Sequence, residues 1–262
     1  AANSSKDRAV SSRHFLRRSA MPNKFQFSVC PHDTAKNLLG WFTINTYLQR
    51  KLATGIHFEP QDNFLVERQR VLEQGCQIVY ANPYSAGCFA RDKGYIPVAR
   101  PVGIKDETLL VGRSGAAVPE RPSVASATDK LIIHRLGLDL LPTIGIDMAT
   151  VSFKFVGNHL NVAAAVIDQK ADLGFVFNET WAGLAETSRV QLQILAESRD
   201  GQAFHCFMIA PDWADRRQEV QEVLCRMHDD PSGRKVLDDL HFTAFEPISQ
   251  DDLTRLLNCI GN

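Results

Sequence analysis

The chain has no apolar run of about 18 residues, which excludes a membrane-spanning helix. It has no GxSxG, no HExxH and no Walker-type glycine-rich loop, so no serine-hydrolase, zincin or P-loop signature is present. Its six cysteines (Cys30, Cys76, Cys88, Cys206, Cys225, Cys259) form no CxxC pair and fit no zinc spacing. At this length a disulfide framework is not needed for stability. Most of the thiols are expected as small buried hydrophobes, which suits a reducing compartment. Charge of one sign is not in excess: 29 basic against 30 acidic residues give a net charge of −1, so nothing points to a nucleic-acid surface. No repeat of about 20–50 residues is visible, which excludes a solenoid.

What is present is an ordinary globular composition, 44% hydrophobic and 23% charged. Its 262 residues suffice for one large domain or two lobes of about 100–150 residues each. Residues 1–20 stand apart. They hold Lys6, Arg8, Arg13, Arg17 and Arg18 against the single acid Asp7, with frequent serine and no apolar periodicity. They read as a disordered basic tail or leader, not a secretory signal, because no apolar core follows the basic part. Met21 is a plausible natural start.

From residue 24 strands and helices alternate. Residues 25–30 are strand-like, and Asp33 or Thr34 is expected to cap a helix carrying Trp41, Ile44, Leu48 and Leu52 at helical spacing. A strand at 56–59, a helix ended by Gly75, a strand at 77–81 and a helix opened by Asn82-Pro83 follow. Strands are expected at 95–102 and 108–112. Residues 113–122, with Gly115, Pro119 and Pro122, read as a hinge or inter-lobe loop. Helix starts, strands and helices then alternate through 190–196, before a strand at 204–210 and helices at 212–228, 231–240 and 251–260.

The most informative stretch is 155–179. An apolar strand ends in Gly157-Asn158-His159, an amphipathic helix follows, and a second apolar strand ends at Asn178-Glu179. His159 therefore opens a helix and Glu179 sits just past a buried strand. In parallel α/β sheets both places face the ligand crevice, and a helix start suits an anion.

In order along the chain stand Asp33-Thr34 after the first strand, Ile78-Val79-Tyr80-Ala81-Asn82-Pro83, the Ser126-Ala127-Thr128 helix start, the 157–179 unit, and Asp230-Pro231-Ser232-Gly233-Arg234-Lys235. This ordered set resembles the phosphonate- and phosphate-type solute-binding proteins of ABC importers, type 2 periplasmic binding proteins, over about residues 24–258. The resemblance implies an α/β fold of two lobes, each a mixed sheet flanked by helices, with a ligand cleft between them. Lobe one would be 21–105 plus 200–262, and lobe two 106–199. Two crossing strands would form the hinge.

The resemblance also implies non-enzymatic binding of a small oxyanion of the phosphonate, phosphate or phosphite class, for ABC import or ligand sensing. No cofactor is called for. An ABC permease or a signalling protein would be the partner. By the same match Ser126 and Thr128 take the hydroxyl positions, His159 the histidine, Tyr80 a lobe-one tyrosine, and Glu179 an acid facing a ligand amine. Two positions depart from the family. Asn63 stands where a lobe-one aromatic is expected, with Phe64 next to it. His205 stands where an acid is expected, which would add a cation and favour a more anionic ligand.

Each residue also has a plainer reading: Ser126, Thr128 and Glu179 as helix caps, Tyr80 as core packing, His159 as a neutral packed histidine. Two other functions stay open. One is an enzyme on the same fold, related to pyrimidine-precursor synthases or decarboxylase-like proteins, with His159 and Glu179 or His205 and Cys206 as reacting groups. The other is metal binding by His32, His134, His159 and His205. The location is periplasmic if a leader was removed before residue 1. It is cytoplasmic if Met21 is the start, which the unpaired cysteines slightly favour.

Overall fold

The computed structural model describes residues 25–260. The basic segment 1–20 and Met21 lie outside them. The first half of the chain runs β1 (Phe25–Val29), α1 (Pro31–Lys51), β2 (Ile56–Phe58), α2 (Phe64–Gln74), β3 (Ile78–Ala81), α3 (Pro83–Lys93), β4 (Ile96–Pro101) and β5 (Thr108–Arg113). Then come β6 (Ser123–Ser126), α4 (Ile132–Leu140), β7 (Ser152–Phe155), α5 (His159–Ile167), β8 (Leu173–Phe177), α6 (Asn178–Gly183), α7 (Glu186–Arg189) and β9 (Leu192–Glu197). The chain closes with β10 (Cys206–Ile209), α8 (Arg217–Cys225), α9 (Pro231–Asp239), β11 (Phe245–Pro247) and α10 (Gln250–Ile260).

Two mixed sheets organise these elements. One has the order β11-β4-β10-β3-β1-β2, the other β7-β6-β8-β5-β9. In the first, β1 runs parallel to β2 and β3, while β10 is antiparallel to β3 and β4. In the second, β6 is parallel to β7 and β8, while β5 is antiparallel to β8 and β9. The parallel strands β1, β3, β6 and β8 are buried over most of their length, as strands covered by helices on both faces must be.

Each lobe has its own apolar core. Trp41, Ile44 and Leu48 of α1 lie against Phe27, Tyr80 and Phe207 in the first. Ile132, Ile133 and Leu136 of α4 lie against Leu110 and Phe175 in the second. Gly137 lets α4 sit directly on β8: a Cβ there would stand 2.5 Å from the Phe175 ring.

The chain passes between the sheets twice, after β4 and after β9, and the two passages are braced together. Asp106 N–H donates to the Ala203 carbonyl at 2.9 Å. The buried Glu107 carboxylate accepts from Gly201 N–H at 2.9 Å and from the Ser198 hydroxyl. Segment 113–122 is not such a passage, contrary to its glycine and proline signal. It leaves β5 and re-enters the same sheet at β6, and Gln193 on β9 donates to its Arg113 and Ala116 carbonyls. Glycine and proline mark a sharp connection but do not say which sheet the next strand joins.

Several helix ends differ from the sequence reading. Cys30, not Asp33 or Thr34, is the residue before α1, with Pro31 in its first turn. The expected helix over 212–228 is a 3-10 turn at 211–216, then α8, then a 3-10 turn at 227–229. Cys30, Cys76, Cys88 and Cys206 are buried free thiols, as small hydrophobes would be.

Candidate functional site: a cleft ringed by helix starts

Parallel strands deliver helices to their carboxyl ends, and here those ends face one another across the two sheets. Between them lies a cavity of about 570 Å³. Five helices begin on its wall: α1 at Pro31-His32, α2 at Asn63-Phe64, α3 at Asn82-Pro83, α4 at Leu131-Ile132 and α5 at Asn158-His159. Each start carries a partial positive charge and backbone N–H groups without intrahelical partners. Asn63, Asn82 and Asn158 cap their own helices with their side-chain oxygens. Leu131 gives α4 no side-chain cap. Gly157, at φ +90°, makes the turn into α5, where a side chain would be strained. Its N–H donates to the Ala127 carbonyl, which joins that turn to the end of β6.

Among the described residues no lysine or arginine lines the cavity, and most of its wall is apolar, including Phe64, Leu131, Ile132, Ile133, Leu160 and Phe177. Its polar groups are unusually underused. Among the described residues six buried side-chain polar atoms lack a hydrogen-bond partner, and four surround this cleft: His32 Nε2, Asp33 Oδ2, His159 Nδ1 and His205 Nε2. Native interiors leave few such atoms, and they concentrate where something else is bound.

His159 opens α5 on the cavity wall, its ring 5.6 Å from Phe177. Phe177 also meets His32 of the opposite lobe edge-on at 5.3 Å. Burial, helped by nearby His32, holds the His159 imidazole down to about 4, so it is neutral at ordinary pH and offers a hydrogen bond rather than a charge.

His205 also lines the cavity, but its surroundings differ from the sequence expectation of a spare cation. Its Nδ1 is 3.1 Å from Asp106 and its Nε2 3.3 Å from Asp33. Burial alone would depress its pKa, but these two carboxylates hold it well above the ordinary value. The positive charge is therefore matched inside the protein and is not left for the ligand. Burial pushes the neighbouring Cys30 thiol up, against the pull of His205.

Tyr80 lies behind this wall, 1% exposed, because the alternation along β3 turns it inward. It packs 4.7 Å from the Trp41 ring and stacks on His205 at 5.7 Å, so it backs the cleft floor and does not line it. The Ser126 hydroxyl, also buried, donates to the Thr128 carbonyl at 3.4 Å and meets His134 Nδ1 at 3.1 Å. Thr128 Oγ1 accepts from Lys130 N–H at 3.2 Å. Both hydroxyls shape the turn before α4, and Ala127 between them lines the cavity.

Glu179 stands on the rim, where its carboxylate pairs across the cleft with Lys36 and with His32 Nε2 at 3.6 Å. Burial raises its pKa, but the neighbouring His32 and Lys36 outweigh burial and bring it to about 2. A second bridge spans the lobes through Arg68 of α2, which donates to Ser85 Oγ and to the Lys130 carbonyl, both at 3.0 Å.

Asp106, Lys36 and Arg68 were not picked out by sequence reasoning, and Asp33 was picked out only as a helix cap beside a strand end. The one cluster with metal-ligand chemistry among the described residues is Cys30, Asp33 and His205.

A family model described as "ABC transporter, phosphonate, periplasmic substrate-binding protein" matches residues 27–253. No curated protein matches the chain. Among solved structures, a Xanthomonas citri protein bound to chloride ion is similar at 16% identity and a TM-score of 0.76, covering 90% of this chain and 95% of its own. A Prochlorococcus marinus protein in complex with methylphosphonate is similar at 12% identity and a TM-score of 0.72, covering 91% and 97%. The Escherichia coli periplasmic aliphatic sulphonate binding protein is similar at 11% identity and a TM-score of 0.63, covering 90% of each chain. At these identities the likeness is one of fold: two lobes of mixed sheet with a cleft between them.

Proposed function

The chain belongs to the phosphonate-type periplasmic substrate-binding family of ABC transporters, and on that premise we propose that its cleft captures a small organic oxyanion of the phosphonate or sulfonate class. Members of this family are substrate-binding proteins and not enzymes, and an ABC permease is the partner that membership implies. Capture works by closure of lobe one (21–105 plus 200–262) on lobe two (106–199), about the two crossing passages.

The ring of five helix starts around one cavity supports this reading most directly. Their dipoles and N–H groups favour an anion, with no lysine or arginine among the described residues of the wall. His159 adds a neutral N–H donor, and His32 faces it from the opposite lobe. Asn63 keeps the start of α2 in place beside them. Ser126 and Thr128 act by fixing the turn that aims α4 at the anion, and Tyr80 acts by holding His205. With His205 matched by Asp33 and Asp106, a singly charged head group suits the site better than a doubly charged one. The apolar wall and the cavity volume suit an anion that carries a carbon substituent over bare phosphate.

Equilibrium dialysis of methylphosphonate and methanesulfonate against wild type and His159→Ala tests the assignment. Loss of a buried hydrogen bond to a charged ligand costs about 1.5–3 kcal/mol, roughly ten- to a hundredfold in Kd. Equal binding by the variant would remove His159 from the site.

A further inference from the structure

At the floor of the cleft three unlike donor atoms converge from distant parts of the chain. Cys30 comes from the end of β1, Asp33 from the first turn of α1, and His205 from the second crossing passage. Cys30 Sγ, a carboxylate oxygen of Asp33 and a ring nitrogen of His205 all lie within 4.8 Å of one another. His205 Nε2 and Asp33 Oδ2 are 3.3 Å apart. Neither has a hydrogen-bond partner, although the His205 side chain is only 8% exposed. The two atoms form an ion pair without a hydrogen bond between them, and a metal ion can take the place of the proton that the pair holds.

The spacing fits a metal ion. Around a tetrahedral centre with zinc-type bond lengths, neighbouring donor atoms stand roughly 3.3–3.6 Å apart. The nitrogen-to-oxygen edge already has that length. The sulfur, within 4.8 Å of both atoms, needs to move inward by at most about 1.5 Å, within reach of a side-chain adjustment.

The surroundings also match what metal ligands require. A histidine ligand is commonly oriented through its other nitrogen by a carboxylate, and Asp106 stands 3.1 Å from His205 Nδ1. A cysteine binds as thiolate, which a helix N-terminus and N–H donors stabilise. Cys30 immediately precedes α1, and Asn82 Nδ2 donates to its sulfur at 3.6 Å. Two carboxylates within reach of one imidazole leave room for a divalent charge.

We propose that Cys30, Asp33 and His205 form a site for a divalent transition metal of the zinc type, with Asp106 positioning the histidine. Cys30 and His205 line the cavity, so the fourth coordination position opens into the cleft. The metal site does not depend on which anion the cleft captures.

The test is a Co²⁺ titration of the full chain, stripped by chelator under reducing conditions. One equivalent should produce a sulfur-to-cobalt charge-transfer band and the intense visible bands of a tetrahedral site, and Zn²⁺ should displace both. Folded Cys30→Ser should lose the charge-transfer band, whereas Cys76→Ser and Cys206→Ser should keep it. Asp106→Asn should keep the spectrum and weaken binding about 10–100-fold. Absence of the band in wild type, or its survival in folded Cys30→Ser, overturns the site. If Cys30→Ser does not fold, X-ray absorption of the zinc-loaded wild type decides. One sulfur with nitrogen and oxygen neighbours supports the assignment, and no sulfur, or more than one, overturns it.

Discussion

Glu67 is the most buried carboxyl among the described residues. It sits on α2 with no exposed surface and accepts one hydrogen bond, from Ser28 Oγ of β1 at 2.9 Å. Its other oxygen has no hydrogen-bond partner. Burial raises its pKa from 4.5 to about 7, although Ser28, Arg68 and Arg70 pull it down. Each pKa unit is worth about 1.4 kcal/mol, so the rise amounts to about 3 kcal/mol. The sign follows from proton linkage. The folded state holds the proton where the unfolded chain has lost it, so this contribution is full below about pH 4.5 and is lost as pH rises through about 7.

Glu67→Gln keeps an acceptor for Ser28 and removes the titration. Urea unfolding of both proteins from pH 4.5 to 8 should show the variant gaining on wild type by about 3 kcal/mol across that window. A stability difference that stays flat with pH would mean that Glu67 is not held protonated by burial, because water or a cation reaches its free oxygen.

Three further outcomes follow from the packing and the cleft. Gly137→Ala places a methyl against the Phe175 ring and should cost about 1–3 kcal/mol, read as a lowered melting temperature and weaker anion binding as α4 is pushed off β8. Glu179→Gln breaks a half-exposed bridge to Lys36 and His32, so it should change anion affinity less than about tenfold. Because that carboxylate is already paired, 2-aminoethylphosphonate should bind no more tightly than ethylphosphonate, as competition in dialysis would show.

Much of the architecture was legible because it rests on local signals. Asn82-Pro83 and Gly157-Asn158-His159 announce helix starts by capping chemistry alone, and the structure places both on the cleft wall. The apolar spacing of Trp41, Ile44 and Leu48 likewise announces the face of α1 that enters the core. Ser126-Ala127-Thr128 read as a helix start, and the structure makes it a turn. The helix itself waits until Ile132, and the hydroxyls are spent on the loop. The floor of the cleft was illegible for another reason. Cys30, Asp33, Asp106 and His205 meet only because β10 inserts between β3 and β4 and the two passages lie side by side. No pattern along the chain encodes that pairing. His205 alone read as a spare cation, because the two carboxylates that match it come from elsewhere in the sequence.

Anion capture is tested most directly by thermal unfolding of the ligand-free full chain against millimolar methylphosphonate, methanesulfonate, phosphate, phosphite and sulfate. A ligand present at about a hundred times its Kd stabilises by about 2.7 kcal/mol, a shift of several degrees. The carbon-bearing anions should give such a shift and the inorganic ions a smaller one. No shift from any of the five would mean that the cleft does not capture a small oxyanion.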